Sequence, residues 1–158
     1  MNIHLAQIPP EGLHLVGEDP IEILEFNEDE TRFVAPISYD VTASLMGDAL
    51  LVQGRLWTKA TLRCGKCLQD FECDVRQESF LVHKPLEGGE LVYLTSEVRE
   101  DILLQLPAYP VCRAQCQGLC PVCGQDLNKK VCRCERAVEN PACAALDEAL
   151  RTSKHSKK

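Results

Sequence analysis

Eight of the ten cysteines in this 158-residue chain are spaced as metal ligands, and that spacing constrains the fold more than any other feature. Cys64 and Cys67 form a CGKC pair, Cys120 and Cys123 form CPVCG, and Cys112, Cys116, Cys132 and Cys134 lie around the second pair. Two residues between cysteines let a tight turn aim two thiolates at one ion. Backbone N–H groups of such a turn bond to the sulfurs and offset their charge. Gly65 and Gly124 supply conformational freedom where such turns need it. Eight ligands is the number required by two tetrahedral sites of four thiolates each. Chain distance groups Cys120, Cys123, Cys132 and Cys134 into a self-contained zinc loop. It leaves Cys112 and Cys116 to join Cys64 and Cys67, pinning the exit of a helix to a sheet. The alternative is one site drawn entirely from residues 112–134, with Cys64 and Cys67 left as a dithiol. A site closed by four thiolates has no open position for water, so the two zinc ions are expected to be structural. Cys73 and Cys143 fall on apolar faces and read as buried core thiols.

The start of the chain, MNIHLAQIPPEG, has neither the basic opening nor the apolar core of an export signal. No apolar run approaches the roughly 20 residues of a membrane helix. The expectation is a cytoplasmic protein, away from membranes, whose cysteines meet metal rather than each other. Catalysis has little to stand on. His4, His14, His83 and His155 are scattered, and no HExxH, phosphate loop or nucleophile elbow is present. A redox CxxC belongs at a helix N-terminus within a βαβ unit, whereas CGKC follows one strand-like run and precedes another. The chain therefore reads as a non-enzyme with no small-molecule substrate.

The rest of the sequence is mainly β. LHLV at 13–16 is a short strand, and 21–30 reads as a solvated edge or loop. Ile37, Tyr39, Val41, Ala43 and Leu45 alternate with polar residues, as in a half-buried strand. After a turn at Met46-Gly47-Asp48, Leu50, Val52, Leu56, Ala60 and Leu62 share one face, with Arg55, Lys59 and Arg63 on the other. Gly54 is a candidate bulge. A third run, from Phe71, shifts its apolar parity at Phe80 and Val82, which also signals a bulge. LVYL at 91–94 is a short strand. Ser96 is placed to cap a helix carrying Val98, Ile102, Leu103 and Leu106, stopped by Pro107 and Pro110. Asn140-Pro141 opens a second helix. The fold class is α+β, mainly β: an antiparallel meander or barrel-like domain over 1–110 with one helix, a zinc-knuckle region over 111–136, a helix over 137–152 and a basic tail over 153–158.

Charge divides along the same line. Residues 1–110 carry a net −11 and residues 111–158 a net +4. If nucleic acid is bound, the last third is the place, through Lys129, Lys130, Arg133, Arg136 and Lys154. Aromatic residues are 5% of the chain, and no stacking strand of the RRM kind stands out, so backbone or shape contacts are expected to outweigh base stacking.

The ordered set LRCGKCLQDFE, EDILLQLPAYPVC, CQGLCPVCGQDLN and NPACAALDEALRTSK resembles the YceD family of large ribosomal RNA subunit accumulation proteins, over roughly residues 35–154. The family's central CxxC corresponds to Cys64 and Cys67, its GLCPxCGxxLN segment to Gly118–Asn128, and its NPxxxAL element to Asn140–Leu146. Some members keep the central pair and lack most of the later cluster. The resemblance implies a cytosolic, non-catalytic factor for accumulation or processing of the large-subunit (23S) rRNA precursor. Its partners would be that RNA, the pre-ribosome or a ribosomal protein. The competing class is a zinc-stabilised adaptor on a ribosomal protein or RNA polymerase.

Overall fold

The computed structural model describes residues 1–26, 30–86 and 88–134. Its elements, in chain order, are β1 (Asn2–His4), β2 (Leu13–Asp19), β3 (Thr31–Phe33), β4 (Ile37–Met46), β5 (Ala49–Arg63), β6 (Asp70–Pro85), β7 (Leu91–Tyr93) and helix α1 (Thr95–Leu104). They all belong to the first of two compact units, Met1–Cys116; the second is Gln117–Lys158.

Period-two alternation builds the meander β4–β5–β6. Val52 of β5 lies opposite Ala43 of β4 and Val82 of β6, so one face of the sheet is mainly apolar, with Thr58 the buried polar residue on it. β5 is long enough to take β4 and then β3 along one side and β6 along the whole of the other, while β2 adds to β4. β2 and β6 remain as edges, so the sheet is open and not the barrel-like closure expected. β1 and β7 form a separate two-stranded sheet. The register breaks between Gly54 and Leu56, which face Phe80 and Gln77 respectively. The extra β6 residue at this bulge returns Phe80 and Val82 to the apolar face and accounts for the parity shift in the sequence. Gly54 is obligatory because a Cβ there would stand 2.2 Å from the Asp40 carbonyl oxygen.

The core combines Val41, Leu50, Leu56, Val75 and Phe80 of the sheet with Val98 and Ile102 of α1, all at most 1% exposed. Truncating Phe80 to alanine is expected to cost about 3–5 kcal/mol. Three local expectations are corrected. The 21–30 segment is not simply solvated: Ile21–Leu24 forms a 3-10 turn that carries Leu24 fully into the core, packed near α1. Ser96 does not cap α1: the N-cap is Leu94, two residues earlier, so Ser96 already lies inside the first turn, and its hydroxyl donates to Glu97 instead. Cys73 is on the apolar face, opposite Ala60, but on edge strand β6 it is only half-buried. Among the described residues no helix is long and apolar enough to cross a membrane. The expected helix over 137–152, Cys143 and the tail over 153–158 lie outside the described residues.

Candidate metal centres

The β5–β6 connection is only six residues, Cys64–Gln69, and it is a knuckle. The Cys64 N–H donates to the Gln69 carbonyl (2.9 Å) and the Leu68 N–H donates to the Cys64 carbonyl (2.9 Å). In the second unit Cys120–Gln125 repeats this wiring. The Cys120 N–H donates to Gln125 (2.8 Å), and the Gly124 N–H donates to Cys120 (2.9 Å). The flanks match too: Arg63 pairs with Asp70, and Leu119 bridges to Asp126. The fifth residue of each knuckle is left-handed, Leu68 at φ 59° and Gly124 at φ 70°. Gly65, by contrast, is not needed for a left-handed turn. Its role is proximity, since a Cβ would meet the Tyr109 ring at 3.0 Å.

Each knuckle meets two further thiols. Cys64, Cys67, Cys112 and Cys116 have ligand atoms within 4.8 Å of one another, as do Cys120, Cys123, Cys132 and Cys134. The Cys64–Cys116 sulfurs are 3.9 Å apart and those of Cys67 and Cys112 are 3.7 Å apart. A tetrahedral ion with metal–sulfur bonds of about 2.3 Å spaces its sulfurs about 3.8 Å apart. The first tetrad therefore fits such an ion with little rearrangement. Cys112 and Cys116 reach it because the Gly65 N–H donates to the Pro110 carbonyl (2.8 Å), tying the segment after α1 to the knuckle. The Tyr109 hydroxyl adds a bond to the Gly65 carbonyl (3.3 Å).

The same electrostatic pattern recurs in both tetrads. Burial pushes the Cys64 thiol up, but N–H groups of Cys112, Cys67 and Lys66 outweigh it and bring the thiol down to about 6. N–H groups of Cys123 and Val122 bring Cys120 down to about 6 against its desolvation. The opposing thiols move the other way. Burial and the surrounding sulfurs push Cys112 up to about 12; hydrogen bonding from Cys123 and desolvation push Cys134 up to about 12. One sulfur in each tetrad ionises readily and another is held protonated, the state that a divalent cation relieves.

The second centre rests on side-chain wiring more than on a core. Asp126 accepts from the Asn128 N–H (2.9 Å) and side chain (2.8 Å), which hold its carboxyl below the usual range. The Asn128 side-chain oxygen accepts from the Gln117 N–H (3.0 Å). Lys129 is exposed and pairs with Asp126 at 3.7 Å. Lys130 and Arg133 are exposed, while Arg136 and Lys154 lie outside the described residues. Leu68 and Tyr109 belong to no sequence motif of the site and Pro110 reads only as a helix stop, although setting CGKCLQD against CPVCGQD aligns Leu68 with Gly124 and exposes its left-handed position.

A mainly β scaffold with two cysteine tetrads able to hold metal defines the class. Residues 81–148 match the family model described as large ribosomal RNA subunit accumulation protein YceD, so the resemblance drawn from the sequence is borne out over that segment. The chain is 29% identical over 108 residues to the uncharacterized protein Rv2926c of Mycobacterium tuberculosis (strain ATCC 25618 / H37Rv), covering 59% of this chain and 52% of the relative. The uncharacterized protein Mb2951c of Mycobacterium bovis matches to the same extent. The chain thus spans about half the length of the curated relatives it matches. No solved structure matches it.

Proposed function

We propose that the chain is a non-catalytic, zinc-binding factor that supports accumulation of large-subunit ribosomal RNA in the cytoplasm. The family match over residues 81–148 carries this reading, because that segment runs through six of the eight paired thiols. Zinc is the ion of choice for four thiolates in tetrahedral array, and two ions per chain are expected. Closed by four sulfurs, neither centre activates water, and the work is done by binding. Lys130 and Arg133, with Lys129 beside them, are the phosphate-facing candidates of the second unit.

The test is in-cell UV crosslinking with sequencing of the recovered RNA. Enrichment at discrete positions of large-subunit precursor rRNA supports a direct factor; background RNA alone overturns it. A protein adaptor is favoured by the exposed apolar side chains Val122 (61%) and Val131 (91%) beside the second centre. A salt titration separates the two: phosphate contacts weaken steeply with salt, an apolar protein contact only slightly.

A further inference from the structure

The only tryptophan of the chain is not in the core. Trp57 lies on the outer, solvent-facing side of β5, 38% exposed, between Arg55 and Lys59, the adjacent outward positions of the strand, each about 6.7 Å away. Arg76 of β6 is its direct cross-strand partner. Among the described residues its ring has no aromatic or cationic stacking partner and its indole N–H no acceptor. A concavity of about 300 Å³ opens beside it, lined by Arg55, Leu56, Trp57, Arg76 and Glu78, where the Gly54–Leu56 bulge breaks the register.

This face differs in charge from the rest of its unit. Five of the eight Lys and Arg among residues 1–110 (Arg32, Arg55, Lys59, Arg63 and Arg76) lie on it. Asp40, Asp70 and Asp74 pair with three of them, and Glu18 and Glu72 share the face by register, which leaves it near neutral and places the unit's acidic excess elsewhere. The Arg76–Asp74 pair is long, at 3.5 Å, with both side chains more than half exposed, and exposed pairs of this kind contribute little. Its guanidinium is available to a ligand.

We propose that Trp57 is a stacking platform for one base of single-stranded RNA. This rests on the RNA-binding reading above and adds a contact site on the first unit. An indole face stacks on any base; Glu78, an acceptor at the cavity wall, selects a base presenting adjacent N–H donors, which is guanine. Arg76 and Lys59 meet the flanking phosphates.

A single tryptophan makes the test direct. Full-length protein is titrated with a uridine heptamer carrying one central guanosine, while its intrinsic fluorescence is followed and retained radiolabelled RNA is measured in parallel. Quenching that tracks retention is expected. Trp57→Ala should weaken retention about tenfold or more, as loss of one stacked base does, and Trp57→Phe should keep most of it. Inosine or adenosine in place of the guanosine should bind about tenfold more weakly, a preference that Glu78→Gln removes. Retention without quenching, undiminished in Trp57→Ala, overturns the platform and leaves the RNA-binding reading intact. No retention by the wild-type chain overturns both. Unchanged metal content and circular dichroism in the variants show that the fold persists.

Discussion

The two knuckles share one backbone design in opposite settings. In the first, Cys64, Cys67 and Cys116 are at most 5% exposed and form a small apolar cluster with Phe71 and Val111. It joins residues some 50 positions apart, so its ion would clamp the post-helix segment to the sheet. The second closes within 15 residues, leaves Cys123 exposed, and has Leu127 as its buried aliphatic residue among those described. The lesson is that one turn serves as a clamp where a core already exists and as the core itself where it does not.

Metal removal should break the pair apart with the largest effect. Structural zinc contributes on the order of 10 kcal/mol to folding of small loops. Chelation should therefore release the ion of the Cys120 set first and unfold residues 117–134, while β4–β6 stay protected. Native mass spectrometry with hydrogen exchange checks this. Simultaneous loss of both ions, or early exchange of β5, would mean that the difference in burial does not control the sites.

Proton linkage should sharpen what the knuckles have in common. In the metal-free protein Cys112 and Cys134, pushed up to about 12, hold their protons at neutral pH. Metal uptake must expel those protons, so affinity rises with pH and falls as pH drops, about tenfold per unit for each proton released. Calorimetry in buffers of different ionisation enthalpy should show proton release at both centres. Uptake without release would mean that the tetrads are already ionised.

The position after the first cysteine separates the knuckles again. Pro121 needs no N–H, but the Gly65 N–H holds Pro110. Gly65→Pro should cost about 1–3 kcal/mol, from the lost bond and the contact with Tyr109, and weaken only the first centre. Equal weakening of both, read by zinc competition, would deny the tether.

Much of this was legible in the sequence. The two CxxC spacings, the period-two runs from Ile37 to Val82 and the bulge parity all carry local signals. Less visible was what depends on distant packing. Nothing in the acidic run 21–30 announces that Leu24 crosses to α1, and although parity puts Trp57 on the polar side of β5, nothing in the sequence says that Arg76 of β6 lies opposite it. Barrel closure failed as an expectation because alternation fixes which face is buried but not whether β2 and β6 meet. Charge arithmetic also needs the sites: each tetrathiolate around a divalent ion carries two formal negative charges. Lys66 and Arg113 near one centre, and Lys130 and Arg133 near the other, therefore offset the centres as well as offering phosphate contacts.

The smallest effect comes from the left-handed residue. A leucine at φ 59° carries a steric penalty of roughly 1–2 kcal/mol that glycine escapes, and Leu68, 58% exposed, is in neither apolar cluster. Glycine's extra freedom in the unfolded chain returns about 0.5–1 kcal/mol of that. Leu68→Gly should therefore stabilise the first unit by about 0.5–1 kcal/mol, and Gly124→Leu, where a Cβ meets nothing within 4 Å, should destabilise the second by a similar amount. Denaturant midpoints at fixed zinc measure both. If Leu68→Gly proves neutral or harmful while Gly124→Leu costs as expected, the turn penalty is real and leucine is kept at 68 for a contact beyond the folded chain. The partner would then meet the clamped knuckle rather than the self-contained one.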